Sequence, residues 1–299
     1  MTEVFEPYLT LLAILALALF VRQRPPVAAI VATVLVVTAV ARYGPVLVST
    51  PQPEFGQSIR VATWNMLADT GSPERALAGL RDIQADVVGI QELLPQAADA
   101  LAADPGLLER FPYRFLAPER TVLGIGLLSR HPISVQASES DPPLVRAVIQ
   151  VSNGTALTAI VVHPLPAQIQ SIGPLPLALD TGARDAAISR IRGMVDGELA
   201  AGRSVVLLGD FNVTEREPAY FDLAAGLRDA HLETGWGPGF TWAPPGALAL
   251  PFGILRIDYI FTSADLQPID VTGNCGLPSD HCLVMATIGL GNQAQPAAP

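Results

Sequence analysis

Apolar positions follow different rhythms in the two parts of this 299-residue chain. At the N-terminus they are nearly continuous. Pro7 to Val21 and Val27 to Ala41 are almost wholly apolar, parted by Arg22-Gln-Arg-Pro-Pro26 and closed by Arg42-Tyr43-Gly44-Pro45. Each run is about 15 residues; with Val4 and Phe5 before the first, and Tyr43 to Val48 after the second, both approach the ~20 that cross a bilayer. So little polar surface is left for water that a pair of buried core helices is disfavoured. Glu3 and Glu6, where a signal peptide carries basic residues, argue against cleavage. The pattern predicts a transmembrane helical hairpin over 1–48. Arg22 and Arg24 between the runs place that loop in the cytoplasm and all that follows the second span outside it. If only the second run spans, the same arginines precede it and the orientation is unchanged. Residues 49–57, with Pro51 and Pro53, read as a polar linker.

Beyond the linker the apolar runs are short. They predict strands at Ile59–Asn65, Asp86–Glu92, Tyr113–Leu116, Val122–Ser129, Leu144–Val151, Ala156–Val162, Ser204–Asn212, Arg256–Phe261, Leu266–Val271 and Leu283–Ile288. Helices are predicted from Ser72-Pro73 to about Ile83, over Pro95–Ala103, and over Gly182–Ala201, where Ile188, Ile191 and Val195 share a face. Asn153-Gly154 marks a hairpin turn. Pro164–Leu179 and Gly235–Gly253 read as loops, and 291–299 as a disordered tail. No internal repeat is visible. Strands with intervening helices, some joined as hairpins, predict an α/β (α+β) domain over 58–290, with two mixed sheets face to face and helices outside.

Charge narrows the partners. The net charge is −10 and every basic residue is arginine. Glu3, Glu6 and Glu54 balance Arg22, Arg24 and Arg42, so the deficit lies in the domain. An acidic domain is a poor partner for long nucleic acids unless a local arginine patch overrides the balance. Cys275 and Cys282 are too few for a disulfide scaffold. Their proximity permits one bridge in an oxidising compartment.

The chemistry collects where apolar runs stop. Ser204-Val-Val-Leu-Leu-Gly-Asp-Phe-Asn212 is a buried strand ending in Asp210 and Asn212, which extended chain would point to one side. The same four residues Gly-Asp-Phe-Asn also suit a tight turn. Asn65, Glu92, His163, Asp258 and Asp280-His281 likewise end strands or interrupt apolar runs. Singly, such residues are usually solvated turn residues. A carboxylate between Ile257 and Tyr259, however, needs a partner.

Taken together and in order, Thr63-Trp-Asn65, Ile90-Gln-Glu92, Val162-His163, Gly209-Asp-Phe-Asn212, Arg256-Ile-Asp-Tyr-Ile260 and Ser279-Asp-His281 resemble the endonuclease/exonuclease/phosphatase superfamily, the deoxyribonuclease-I-like fold. The resemblance covers Ile59 to Ile288. It implies a four-layer sandwich with the site at one edge of both sheets, and a metal-dependent phosphoric ester hydrolase. Asn65, Glu92 and Asp280 would hold Mg²⁺ or Mn²⁺, hard ions that prefer oxygen ligands. His281 would be the general base, with Asp258 on its other ring nitrogen. His163 and Asn212 would bind the phosphoryl oxygens. Asp210 would position the nucleophile or assist the leaving group. His131 and His231 match nothing and read as surface residues; Arg130 reads as solvated, and Ser279 is no nucleophile candidate. A Cys275–Cys282 bridge would flank and rigidify Ser279-Asp-His281.

The superfamily spans nucleases, inositol-phosphate phosphatases and sphingomyelinases, so the fold does not choose a substrate. The acidic domain, the membrane tether and the apolar loops after His163 and over Ala243–Phe252 favour a phosphate or pyrophosphate ester on a lipid or other envelope molecule. The layout is similar to that of membrane-anchored bacterial relatives linked to glycopeptide resistance and lipid-carrier phosphate metabolism. The expected partners are the bilayer and a phosphorylated substrate, with nucleic acid disfavoured and no protein partner. An extracellular nuclease is the second reading. A membrane-anchored binding module without activity is the third.

Overall fold

The computed structural model describes residues 30, 31, 33–37, 55–66, 73–152, 154–172, 175–244 and 253–291. The elements are β1 (Ser58–Asn65), α1 (Pro73–Asp82), β2 (Val87–Gln91), α2 (Pro95–Ala103), α3 (Pro105–Arg110), β3 (Tyr113–Ala117), β4 (Ile125–Ser129), β5 (Ile133–Ser140), β6 (Pro143–Ser152) and β7 (Thr155–Val162). They continue with β8 (Gln168–Ile172), β9 (Leu175–Asp180), α4 (Gly182–Ala200), β10 (Val205–Asp210), α5 (Pro218–Ala224), β11 (Arg228–Asp229), α6 (Ala230–Thr234), β12 (Asp258–Thr262), β13 (Leu266–Asn274) and β14 (Leu283–Leu290).

Two six-stranded sheets form the body, in the orders β13-β14-β1-β2-β4-β3 and β11-β12-β10-β7-β6-β5. Alternation along each central strand explains its continuous apolar sequence. On β10, Val206 and Leu208 enter the core between the sheets, while Val205 and Leu207 enter the core under α4 and α5. On β1, Ile59 and Val61 face the other sheet, while Ala62 and Trp64 pack under α1 and α2. A strand covered on both faces has no polar side to show water. The result is two mixed sheets face to face with helices outside, as the apolar pattern predicts, in the four-layer sandwich that the family resemblance implies.

Each sheet has one parallel pair near its middle, β1 with β2 and β7 with β10. A helix-bearing crossover returns the chain between the partners, α1 in the first pair and α4 in the second. The flanking strands are antiparallel: β12 beside β10 and β14 beside β1. The ends of the parallel strands and the starts of these antiparallel neighbours therefore meet at one edge.

Some expectations need correction. Val122–Leu123-Gly124 precedes β4 instead of belonging to it, and β5 and α3 carry no continuous apolar signal. β5 is an edge strand with mostly solvated positions. α3 is one short helix held by the Asp104 carboxylate, which accepts from the Leu107 N–H at 2.8 Å. The stretch expected as a loop after His163 contains the β8–β9 hairpin. Phe55 and Gln57, placed in the linker, are part of the domain: the Gln57 carbonyl accepts from the Leu290 N–H at 3.0 Å. Among the described residues no helix is long and apolar enough to cross a membrane. The expected spans lie outside the described residues except for helical positions 30, 31 and 33–37, where Ile30, Val31, Val34, Val36 and Val37 are exposed. Asn153, the Pro245–Phe252 part of the apolar loop and residues 292–299 of the tail also lie outside the described residues.

Candidate active site

The edge where the central strands end gathers the polar residues that the sequence singles out. Asn65 closes β1, Glu92 follows β2, His163 follows β7, and Asp210 closes β10. Asp258 opens β12 directly opposite Asp210 in the ladder. His281 lies two residues before β14. Asn65, His163, Asp210, Asp258 and His281 are all buried.

Hydrogen bonds join them. The Asn65 amide donates to Glu92 Oε1 and to Asp210 Oδ2, both at 3.0 Å, and so links the two sheets. His163 Nε2 lies 3.8 Å from Glu92 Oε1 and 3.5 Å from Asp210 Oδ2. His281 Nδ1 meets Asp258 Oδ2 at 3.0 Å, and its Nε2 faces Asp210 Oδ2 at 3.7 Å. Asp210 is thus the hub between the two imidazoles.

Local backbone geometry sets these positions. Glu92 and Asn212 have φ of 57° and 51°, a conformation that a side chain rarely adopts outside tight turns. Asn212 is therefore past the end of the strand, where the sequence reading had extended chain. Its N–H donates to Asp210 Oδ1 at 2.9 Å, and its amide donates to the Pro164 carbonyl at 3.1 Å. The turn and the site are one structure. Gly209 makes it possible: at φ 155° a Cβ would lie 2.1 Å from the Val162 carbonyl oxygen.

Electrostatics separate the acids. Burial raises Asp210, but the charges of His281 and His163 and the Asn212 N–H outweigh it and hold this carboxyl below its ordinary value. Burial pushes Asp258 up to about 6 against the pull of His281. For His281, burial disfavours the proton, yet the Asp258 and Asp210 carboxylates raise it to about 10. His163 is also raised: Asp210 and Glu92 overcome its burial. The Val122 carbonyl, 3.0 Å from His163 Nδ1, can only accept, so that nitrogen carries a proton.

The metal ligands need a separate test. Asp210, Asp258 and His281 present ligand atoms within 4.8 Å of one another. His281 Nδ1 is engaged by Asp258, however, and Asp210 Oδ2 by Asn65, so this trio is an acid–imidazole network. The oxygen donors Asn65, Glu92 and Asp280 suit a hard cation better. Asp280 supplies the evidence: its Oδ2 accepts from Trp242 Nε1 at 2.9 Å, while its Oδ1 is buried without a hydrogen-bond partner. A bare buried carboxylate oxygen is costly and is the kind of atom a cation satisfies. The unpartnered oxygen of Asp280 and the oxygen chemistry of this donor set fit a divalent ion.

Sequence reading missed the supports. Thr241-Trp242-Ala243, inside an expected loop, stitches the site together. Thr241 Oγ1 accepts from the Ile257 and Asp258 N–H groups, and the Ala243 N–H donates to the Asp280 carbonyl. Ser279 is a pin: its hydroxyl donates to the Asn65 carbonyl at 2.8 Å and accepts from the His281 N–H at 3.0 Å. Buried Arg184 donates to the Asn212 carbonyl at 2.8 Å. A tryptophan and a threonine in a glycine-flanked loop were the only available signals. His231 is not a surface residue: it is packed between Gly235 and Gly239, with Nε2 donating to the Gly237 carbonyl at 2.9 Å. His131 is half-buried, and Arg130 pairs with Asp86 at 3.1 Å. Cys275 and Cys282 form the bridge left open by the sequence.

Solved structures share this architecture. The 3′ phosphatase NExo from Neisseria, bound to a product DNA hairpin, matches with a TM-score of 0.58 and 21% identity, over 76% of this chain and 98% of its own. TDP2 from D. rerio, complexed with a single-strand DNA product, gives 0.57 and 17% over 78% and 99%. Sphingomyelinase C from Streptomyces griseocarneus gives 0.53 and 19% over 78% and 99%. At these identities the likeness establishes the fold alone. No curated protein matches the chain. The model of the endonuclease/exonuclease/phosphatase family matches residues 62–281, which spans every site residue from Asn65 to His281. The chain belongs to the endonuclease/exonuclease/phosphatase family.

Proposed function

We propose that this protein is a divalent-metal-dependent phosphoesterase, anchored by two N-terminal spans, whose catalytic domain lies outside the cytoplasm. It hydrolyses a phosphate or pyrophosphate ester on a lipid-linked or other envelope substrate. The carrying observation is the buried network in which Asp258 holds His281 while Asn65, Glu92, His163 and Asp210 converge beside it. Members of the family are metal-dependent hydrolases of phosphoester bonds.

The residues divide the work. Asp258 accepts from His281 Nδ1–H, which leaves Nε2 as the nitrogen that takes a proton from the attacking water. The water oxygen forms the new P–O bond, the bond to the ester oxygen breaks, and that oxygen takes a proton from solvent as it leaves. His163, protonated at Nδ1 and raised in proton affinity, donates from Nε2 to a phosphoryl oxygen. Asn212 holds Asp210 and Pro164 in place, and gives its weaker 3.4 Å contact with Asp210 to the substrate. Asn65, Glu92 and Asp280 would hold Mg²⁺ or Mn²⁺, which would supply neutralisation of the phosphate charge. Asp280 is one of the carboxylates that raise His281, after Asp258 and Asp210, so a cation held at Asp280 would lower the proton affinity of this imidazole.

Three features support the location and substrate. The Cys275–Cys282 bridge suits an oxidising compartment. The described helical residues 30, 31 and 33–37 include the exposed apolar side chains of Ile30, Val31, Val34, Val36 and Val37. The net charge of −10 disfavours long polyanions. The second reading, an extracellular nuclease, draws on the DNA-bound neighbours. Full-length protein tested with Mg²⁺, Mn²⁺ or EDTA on lipid phosphates, lipid pyrophosphates and supercoiled plasmid separates the readings. Metal-dependent phosphate release from the lipids is expected. Plasmid nicking alone would overturn the lipid preference, and inactivity on every substrate would favour the binding module.

A further inference from the structure

Between His163 and α4 the chain leaves the sandwich and forms a sheet of its own. Among the described residues β8 and β9 pair only with each other, with Ile169 opposite Leu179 and Gln168 opposite Asp180. Ile169 is 66% exposed and Leu165 41%. Gln168, Gln170, Ser171 and Ala178 are exposed as well. An isolated two-stranded hairpin is marginal in water, because it has no face to bury. Among the described side chains of this segment, Leu165 and Ile169 are apolar groups left to water.

The composition of the segment says what would cover them. From Pro164 to Leu179 there is no charged residue, in a protein of net charge −10. The first charge is Asp180 at the hairpin base, where it accepts from the Gln170 amide and from the Gly182 N–H. A protein partner for an acidic domain would be expected to meet charge. A charge-free, largely apolar segment that exposes Leu165 and Ile169, with one acid at its base, matches a lipid surface.

The chain also brings a bilayer within reach. Residues 1–48 carry two apolar runs, and the domain is fixed from Phe55, whose ring lies against Gly289. The intervening 49–54 extends to at most about 20 Å. β1 starts at the end of the sandwich away from the site, and its 8 residues cover about 26 Å. A domain lying along the membrane would span the length of β1 and bring the site edge to the surface.

We infer that the β8–β9 hairpin docks into the bilayer that holds the N-terminal spans and seats the active site against it. The inference rests on the proposed membrane anchoring and deepens the lipid-substrate reading. Asn212 ties the hairpin to the site at both ends. Its amide donates to Pro164 before the hairpin, and its carbonyl accepts from Arg184 after it. Docking therefore acts on the Asp210–Asn212 turn.

The test uses full-length protein reconstituted in phosphatidylcholine–phosphatidylglycerol vesicles. An environment-sensitive fluorophore is placed at Ile169→Cys, with Val135→Cys on the exposed β5 edge as control. The native cysteines are bridged and do not label. Quenching by brominated lipid at position 169 and not at 135 is the expected result. Equal lack of quenching at both positions overturns docking, as does protection of 169 by contact with a second copy. This readout needs no activity, so it stands or falls apart from the reaction. In the activity arm, Ile169→Asp should lower turnover of a vesicle-held phosphate ester at least tenfold and leave a soluble nitrophenyl phosphodiester unchanged. Equal loss on both substrates overturns the role in seating the site.

Discussion

The indole nitrogen of Trp242 donates to one carboxylate oxygen of Asp280 at 2.9 Å, and the other oxygen of that carboxylate is buried without a partner. The indole thus fixes the rotation of a side chain that approaches the site from a loop. Residues that orient a metal ligand are worth about 10–100-fold in metal affinity. Trp242→Phe keeps most of the ring and removes the donor. We expect Mn²⁺ affinity, followed by calorimetric titration, to fall within that range while the melting temperature changes little. An unchanged affinity would show that Asp280 is held by its backbone contacts alone.

Asp258 and His281 form the second coupled pair. Asp258→Asn is nearly isosteric, but its amide can donate to Nδ1. That reverses the tautomer and puts the proton on Nε2, the nitrogen required to accept one. The expected loss in kcat is about 10²–10⁴-fold. KM should move little, because neither atom binds substrate. Steady-state kinetics on whichever phosphoester the panel identifies checks this. A large KM change with intact kcat would remove His281 from the proton-transfer role.

The parts legible in the sequence are those under two-sided burial. Val205 and Leu207 face one core and Val206 and Leu208 the other, so β10 had to be continuously apolar. Asp210, Asp258 and His281 stood out because each interrupts such a run. β5 and the β8–β9 hairpin did not stand out, because edge and solvated strands lack that constraint. The left-handed turns at Glu92 and Asn212 were hidden too, since neither is the glycine such a backbone favours. Trp242 was invisible for another reason: its partner is Asp280, far along the chain, and nothing local marks the contact. Sequence thus displays the candidate reactive groups and conceals the residues that hold them in place.

The disulfide has a defined place in the ladder. Asn274 pairs with Leu283, the last register of β13 with β14, and Cys275 and Cys282 take the next position outward. The loop they close carries Ser279, Asp280 and His281. A cross-link with a separation of 7 residues restricts the unfolded chain by about 2.5 kcal/mol on loop-entropy grounds. Reduction should therefore lower the melting temperature by several degrees. It should also loosen the hairpin end, so metal affinity falls with it. Thermal melts and Mn²⁺ titration with and without reductant check both. If the melt shifts and affinity does not, the bridge serves stability alone.

Glu198 shows how acid should unfold the second sheet. It is buried in the last turn of α4, where it accepts from Arg146 on β6, from Thr158 on β7 at 3.0 Å, and from Arg203 just before β10. The Arg203 hydrogen bond, more than burial opposes it, holds this carboxyl below its ordinary 4.5. A carboxyl depressed in the folded state stabilises at pH above 4.5. That contribution is lost as pH falls from 4.5 through the lower folded value. Arg146 and Arg203 are partly solvated and can rehydrate, so the charge-assisted bonds are worth about 1–3 kcal/mol together. We expect Glu198→Gln to be less stable than the parent by that amount at pH 7 in urea unfolding. The gap should close as pH drops below 4.5, because the parent then carries a neutral acid in the same place. A gap that persists undiminished in acid would mean that packing at the α4 terminus, and not the ion pairs, holds the helix to β6 and β7.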